Sequence, residues 1–283
     1  DIGYQNSSQA ALHVSANSLE EYVQDLSAAV ETPQPDYVAM GVKRAGEYIQ
    51  LNANQLQIEN EYYSTIRPKR VAFSGERPTA ALSRAGIEYI ELRALDISPF
   101  DPVGIGRTQQ KFLEAFLIFA LLYDSPPIDT SEQEENRSNH LSVARMGRDP
   151  ELTLRRLGKD VRLTEWAGEI CTQMLPICEM LDSGSGSSAY CDALAQQQAA
   201  VRDPELTPSA RLLADLSESG LGFADYGLKA AQLYRDYFAN LAPELNQHAS
   251  LFAEESRDSI ARQLEIERSD EISLDEYIAR YYS

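Results

Sequence analysis

The stretch Ile87-Glu88-Tyr89-Ile90-Glu91-Leu92-Arg93-Ala94-Leu95-Asp96-Ile97 alternates residue by residue. Ile87, Tyr89, Glu91, Arg93 and Leu95 fall on one side of an extended chain, and Glu88, Ile90, Leu92 and Ala94 on the other. A strand is expected over 87–97. The period stays short upstream. Residues 42–52, with Arg44-Ala45-Gly46 at their centre, read as a hairpin. Leu56, Ile58, Asn60 and Tyr62 alternate with Gln57, Glu59, Glu61 and Tyr63 as a further strand. One short helix is expected between them, starting at Thr79 and stopped by Gly86. Before all of these, Ser18 with Glu21 makes a capping box. Leu19, Tyr22, Val23, Leu26 and Val30 follow at helical spacing, until Pro33 and Pro35 end the helix.

Downstream the period changes to helical. Phe112, Leu113, Phe116, Leu117 and Ala120 form an apolar stripe that Pro126-Pro127 closes, and the acidic stretch from Asp129 opens a polar helix. A helix from about Thr164 carries Trp166, Ile170, Met174 and Leu181, with a kink expected at Pro176. Ser183-Gly184-Ser185-Gly186-Ser187-Ser188 reads as a loop. Further helices are expected over 189–202, 208–218, 223–240, 243–267 and 274–282, the last capped by Ser273 with Glu276. Strands followed by helices indicate an α+β fold rather than alternating α/β. The expected division is a β-rich part with the substrate site over 1–105 and a mainly helical region over 106–283.

Composition narrows the function. The 283 residues hold 25 Lys plus Arg against 44 Asp plus Glu, a net charge of −19, and 43% of them are apolar. Such a chain can fold around its own core. Its acidity argues against nucleic acid as a partner and against docking on anionic lipid. The longest apolar run, from Phe112 to Leu122 with Glu114 inside it, is well short of the roughly 20 residues that span a bilayer. Cys171, Cys178 and Cys191 have no metal spacing, and an odd count fits a reducing cytoplasm. The first residues have neither the basic nor the apolar region of a signal peptide, and none is expected. The chain opens at Asp1 in a stretch that already reads as mid-domain, so an upstream part of the polypeptide is expected.

Charge is spread unevenly. Residues 51–107 carry seven basic and seven acidic side chains, so the rest of the chain holds the whole −19. This arginine-rich island offers two-pronged partners for phosphate or carboxylate, or it is ordinary surface ion pairing. Glu91 and Arg93, two apart on the expected strand, point the same way. They make either a plain same-strand salt bridge or a pair suited to a metal-bound phosphate, the acid holding the cation and the guanidinium facing phosphate oxygens. Arg67-Pro68-Lys69-Arg70 reads as a solvated or ion-paired loop. Tyr4, Tyr62, Tyr63 and Tyr89 bring phenols near the island, either as core or closing over a small substrate. No GxxxxGK[ST], GxGxxG or GxSxG motif is present.

Several of these stretches together resemble the proteobacterial type of glutamate–cysteine ligase, a family related to the glutamine synthetase superfamily. They are Asp1-Ile2-Gly3-Tyr4; Leu56-Gln57-Ile58-Glu59-Asn60-Glu61 with Tyr63; Ile66-Arg67-Pro68-Lys69-Arg70-Val71; Ser74-Gly75-Glu76; and Gly86-Ile87-Glu88-Tyr89-Ile90-Glu91 with Arg93. The likeness is strong over about residues 1–125 and weaker but collinear beyond. It implies an antiparallel sheet followed by a helical shell. It also implies ATP-dependent joining of the γ-carboxyl of L-glutamate to the amine of L-cysteine through a γ-glutamyl phosphate, with Mg2+ as the metal. By resemblance Glu91 binds magnesium, Arg93 faces the transferred phosphoryl and glutamate, and Tyr4 and Tyr63 line the cysteine pocket. Asn60 and Glu88 are carried over as substrate-binding residues. The family's main group of metal-binding glutamates lies in an N-terminal portion outside these residues, which is therefore expected as an associated partner. Two other readings stay open: a non-catalytic helical interaction module, and a related carboxylate–amine ligase with a different amine.

Overall fold

The structure, a computed structural model, describes residues 12–245 and 248–282. In chain order the elements are α1 (Leu19–Glu31), α2 (Pro35–Met40), β1 (Lys43–Arg44), β2 (Glu47–Tyr48), β3 (Ile66–Lys69), α3 (Pro78–Ala85), β4 (Tyr89–Leu92) and α4 (Arg107–Leu122). There follow α5 (Thr130–Met146), β5 (Thr153–Arg156), β6 (Lys159–Arg162), α6 (Leu163–Ser185), α7 (Ala189–Arg202), α8 (Pro208–Ser219), α9 (Phe223–Leu245), α10 (Ala249–Ser269) and α11 (Leu274–Tyr281). The fold is a mixed one, helices with small antiparallel sheets. Each sheet has two strands: β1 with β2, β3 with β4, and β5 with β6.

Contacts divide the chain into two compact units. One holds residues up to Leu95 together with Ser250–Ser283, and the other holds Asp96–Ala249. The sequence had placed a single boundary after residue 105. In the first unit, Ser18 Oγ accepts the Glu21 N–H at 3.1 Å and starts α1. This is half of the expected box, because the Glu21 carboxylate turns instead to the Ser15 hydroxyl at 2.6 Å. The inner face of α1 buries Tyr22, Leu26, Ala29 and Val30 against Leu56 and Leu82. Each such aliphatic side chain contributes about 1.5–3 kcal/mol by leaving water. Gly86 ends α3 at φ 74, a left-handed turn open to glycine. The hairpin β1–β2 turns at Ala45 and Gly46, φ 54 and 88, as its sequence indicated.

Two expected strands differ in the structure. Residues 56–63 do not pair as a strand, and a 3-10 turn forms at Glu59–Glu61. The Glu59 carboxylate is buried there: Oε1 accepts from Arg77 Nε at 2.7 Å and from Thr79 Oγ1 at 2.8 Å, and Oε2 from the Tyr281 hydroxyl at 3.3 Å. An alternating pattern with no neighbouring strand gives way to the turn that satisfies this acid. The strand expected over 87–97 is limited to Tyr89–Leu92, its partner β3 being only four residues long.

In the second unit, Ala115 of α4 meets Cys171, Met174 and Cys178 of α6 and Tyr190 and Leu194 of α7 in one core. Cys171 and Cys178 pack there as buried thiols, and burial pushes both upward in pKa. The Ser183–Ser188 stretch is less open than its composition suggests. The helix α6 continues to Ser185 and stops at Gly186, φ 65, while the Asp182 carboxylate accepts the N–H groups of Tyr190 and Cys191 at 3.0 and 2.9 Å. The hairpin β5–β6 was not foreseen within the mainly helical region. It turns at Leu157 and Gly158, φ 52 and 76. Among the described residues no helix is long and apolar enough to cross a membrane.

Candidate active site on the β3–β4 pair

The pairing of β3 with β4 sets Arg67 opposite Glu91, Lys69 opposite Tyr89, Ile66 opposite Leu92 and Pro68 opposite Ile90. The Arg93 N–H extends the ladder to the Thr65 carbonyl at 2.8 Å. Directly opposed residues share a face. One face therefore carries Arg67, Lys69, Glu91 and Arg93, and the other carries Ile66, Pro68, Ile90 and Leu92. Burial is inverted from the usual order. Arg67 is 5% exposed, whereas Ile66 and Ile90 are each 43% exposed.

Cations converge on Glu91 from its own strand and from the next. Lys69 Nζ and Arg93 Nη1 each stand 3.7 Å from Glu91 Oε2. The two residues that alternation placed on one side of β4 thus do meet, as an ion pair without a hydrogen bond. Glu91 Oε2 is itself buried and accepts from no described residue. Arg67 donates from Nη2 to the Asn60 carbonyl at 3.2 Å, while its buried Nε finds no acceptor among the described residues. Burial, and then the charge of Arg93, holds the Arg67 guanidinium below the usual arginine range. The Arg93 guanidinium lies over the Tyr63 ring, 5.0 Å from its centroid. Beside them burial, with Tyr22 adding to it, pushes the Tyr62 phenol up to about 12.

The remaining expected residues fall as follows. Asn60 is exposed in the 3-10 turn, and only its carbonyl is seen to engage the cluster, through Arg67. The Glu88 carboxylate accepts the Val71 N–H at 3.1 Å and stands 3.7 Å from Arg70 Nε, so it ties down the chain after β3 rather than joining Glu91. Tyr4 lies outside the described residues. Arg67 and Lys69 were not singled out: their tetrapeptide read as a solvated or ion-paired loop, and Lys69 and Arg70 are ion-paired, but Ile66–Lys69 is a strand. The signal was present in the alternation of Ile66, Arg67, Pro68 and Lys69, which proline obscured; on an edge strand proline is tolerated.

A magnesium ion fits this chemistry in part. An oxygen with unused lone pairs at Glu91 Oε2 is the ligand type a hard cation takes. Among the described residues no group of three acidic, histidine or cysteine side chains assembles, so Glu91 would be one ligand of a site completed by others.

Known proteins decide the family. The family model described as glutamate–cysteine ligase matches residues 1–143. The glutamate–cysteine ligase of Azotobacter vinelandii is 46% identical over 281 residues, 99% of this chain and 53% of that protein. The chain belongs to the glutamate–cysteine ligase family. The ligase of Alcanivorax borkumensis is 44% identical over all of this chain and 54% of its own length. A crystal structure of the Francisella tularensis glutamate–cysteine ligase in complex with AMP superposes with a TM-score of 0.84 at 33% identity, over 99% of this chain and 55% of that one. The chain spans about half the length of the ligases it matches.

Proposed function

We propose that the protein takes part in the ATP-driven joining of L-glutamate to L-cysteine, the first step of glutathione formation, acting together with the rest of the ligase length that this chain does not span. The carrying observation is the meeting of Glu91 and Arg93 on one strand face of a chain in this ligase family. The AMP complex of the Francisella ligase supports ATP as the nucleotide substrate. The γ-carboxylate of glutamate attacks the terminal phosphorus of ATP, and ADP leaves. The cysteine amine then attacks the resulting acyl phosphate, the carbonyl–oxygen bond to phosphate breaks, and the amine gives up a proton. Phosphate replaces a poor leaving group with a good one.

Glu91 would hold a magnesium ion, as one carboxylate among several. When bound, that ion offsets charge on the phosphate oxygens. Arg93 faces the transferred phosphoryl and the glutamate, its guanidinium kept in place by the Tyr63 ring. Tyr63, exposed at 42%, and Tyr4 line the cysteine pocket, with Asn60 beside Arg67 as a further substrate-binding residue, while Glu88, engaged by Val71 and Arg70, supports the site from outside it. An odd number of cysteines without metal spacing favours a reducing cytoplasm as the compartment.

The test is ADP release by the complete enzyme with glutamate and a panel of amines. Release that requires both glutamate and cysteine is expected, and Glu91→Ala should abolish it with the circular dichroism unchanged. Turnover that survives this substitution removes Glu91 from the mechanism. Preference for another amine replaces cysteine as the substrate.

A further inference from the structure

The charged face of β3–β4 holds more cation than its own acid offsets. Arg67, Lys69 and Arg93 share the face with one carboxylate, Glu91. Arg67 is the most buried of them, 5% exposed, and no carboxylate oxygen among the described residues lies within ion-pair distance of it. Its Nε–H donor is buried and unused, and Glu91 Oε2 across the strand pair, though ion-paired with Lys69 and Arg93 at 3.7 Å, accepts no hydrogen bond among the described residues. A buried guanidinium without a counter-ion is costly, as is a buried donor without an acceptor. Structures retain such groups where a ligand completes them. Among the described residues the guanidinium is anchored at one corner, by Nη2 to the Asn60 carbonyl, and its Nε carries no hydrogen bond. On a chain of net charge −19, this is a half-buried cluster of excess positive charge.

We infer that Arg67 is a substrate-binding residue whose Nε edge receives an anionic oxygen, of a carboxylate or of a phosphoryl group, beside Glu91 and Arg93. This rests on the proposed ligase reading for the identity of the two candidates, the carboxylates of glutamate and the phosphates of ATP. Lys69 adds charge to the same anion from the edge of the face. Arg67 takes no part in bond making.

Arg67→Met and Arg67→Lys in the complete enzyme test it. In steady-state assays Arg67→Met is expected to raise KM for one substrate, glutamate or ATP, roughly tenfold or more, with the other within about twofold. Arg67→Lys should recover part of that loss. Which KM moves distinguishes carboxylate from phosphoryl. KM values that stay as in wild type for both substrates overturn the assignment, as does a loss of melting temperature with no substrate-selective change. If Arg67→Met does not fold, Arg67→Lys decides, since it keeps the charge and removes the Nε donor. A several-fold, single-substrate rise supports the inference, and no rise rejects it. A binding arm separates this from failure of the ligase reading. The melting temperature is followed with L-glutamate alone and with ATP alone, without turnover. Loss of one ligand's stabilisation in the variant upholds the inference even where no γ-glutamylcysteine is made. Equal stabilisation of variant and wild type rejects it even where the ligase reaction proceeds.

Discussion

Glu59 joins three pieces of the first unit through one carboxylate: Arg77 and Thr79 at the start of α3 hold one oxygen, and Tyr281 of α11 reaches the other. Removing it strands the Arg77 cation, whose Nη2 is already buried and unpaired among the described residues. Glu59→Ala should therefore cost about 3–5 kcal/mol in chemical denaturation, the range for breaking one side of a buried ion pair. Its neighbours give a pH signature. Burial, with Glu59 adding to it, pushes Tyr281 up to about 12, and Tyr62 stands equally high, against an ordinary value of 10.0. The raised folded value means that this stability is full below pH 10 and is lost as pH rises from 10 to 12, because the unfolded phenols ionise first. Denaturation midpoints should fall across that window together with the rise of phenolate absorbance; a flat midpoint would contradict the burial of these two hydroxyls. At this scale the sequence was informative where chemistry and spacing agreed. Glu91 and Arg93, two apart, do meet. It was silent on Glu59 and Arg67, because a charged side chain does not announce its burial; that comes from partners such as Arg77, Tyr281 and Asn60, distant or out of register in the sequence.

Among the elements, helices were the most legible. The apolar spacing of α1, the Ser18 and Ser273 caps and the Gly86 stop each act locally, so a reading of local sequence finds them. Strands depend on a partner. β4 is short because β3 is short, and residues 56–63 alternate without pairing. The hairpin β5–β6 escaped notice because its turn uses Leu157 where asparagine or glycine would have marked it. Leu157 holds φ 52 and is 65% exposed, so a left-handed backbone is imposed on a side chain that gains little from burial. Leu157→Gly should raise stability by up to about 1 kcal/mol, worth roughly 2–4 °C in melting temperature. Gly158→Ala, at φ 76, should lower it by a similar amount. A lower melting temperature for Leu157→Gly would show that the leucine has a packing role.

Across the molecule, acidity dominates. A net charge of −19 opposes compaction by self-repulsion, so the melting temperature should rise as salt is raised from low to physiological ionic strength. A fall would mean that ion pairs such as Glu76–Arg84 and Glu59–Arg77 outweigh the repulsion. The likeness to glutamate–cysteine ligases was readable from short motifs, and the chain spans about half the length of those ligases. The most direct test is the magnesium dependence of glutamate- and cysteine-stimulated ADP release, wild type against Glu91→Gln, in the complete enzyme. The magnesium concentration for half-maximal rate should rise tenfold or more in the variant, and superimposable magnesium curves would contradict a metal-binding role for Glu91.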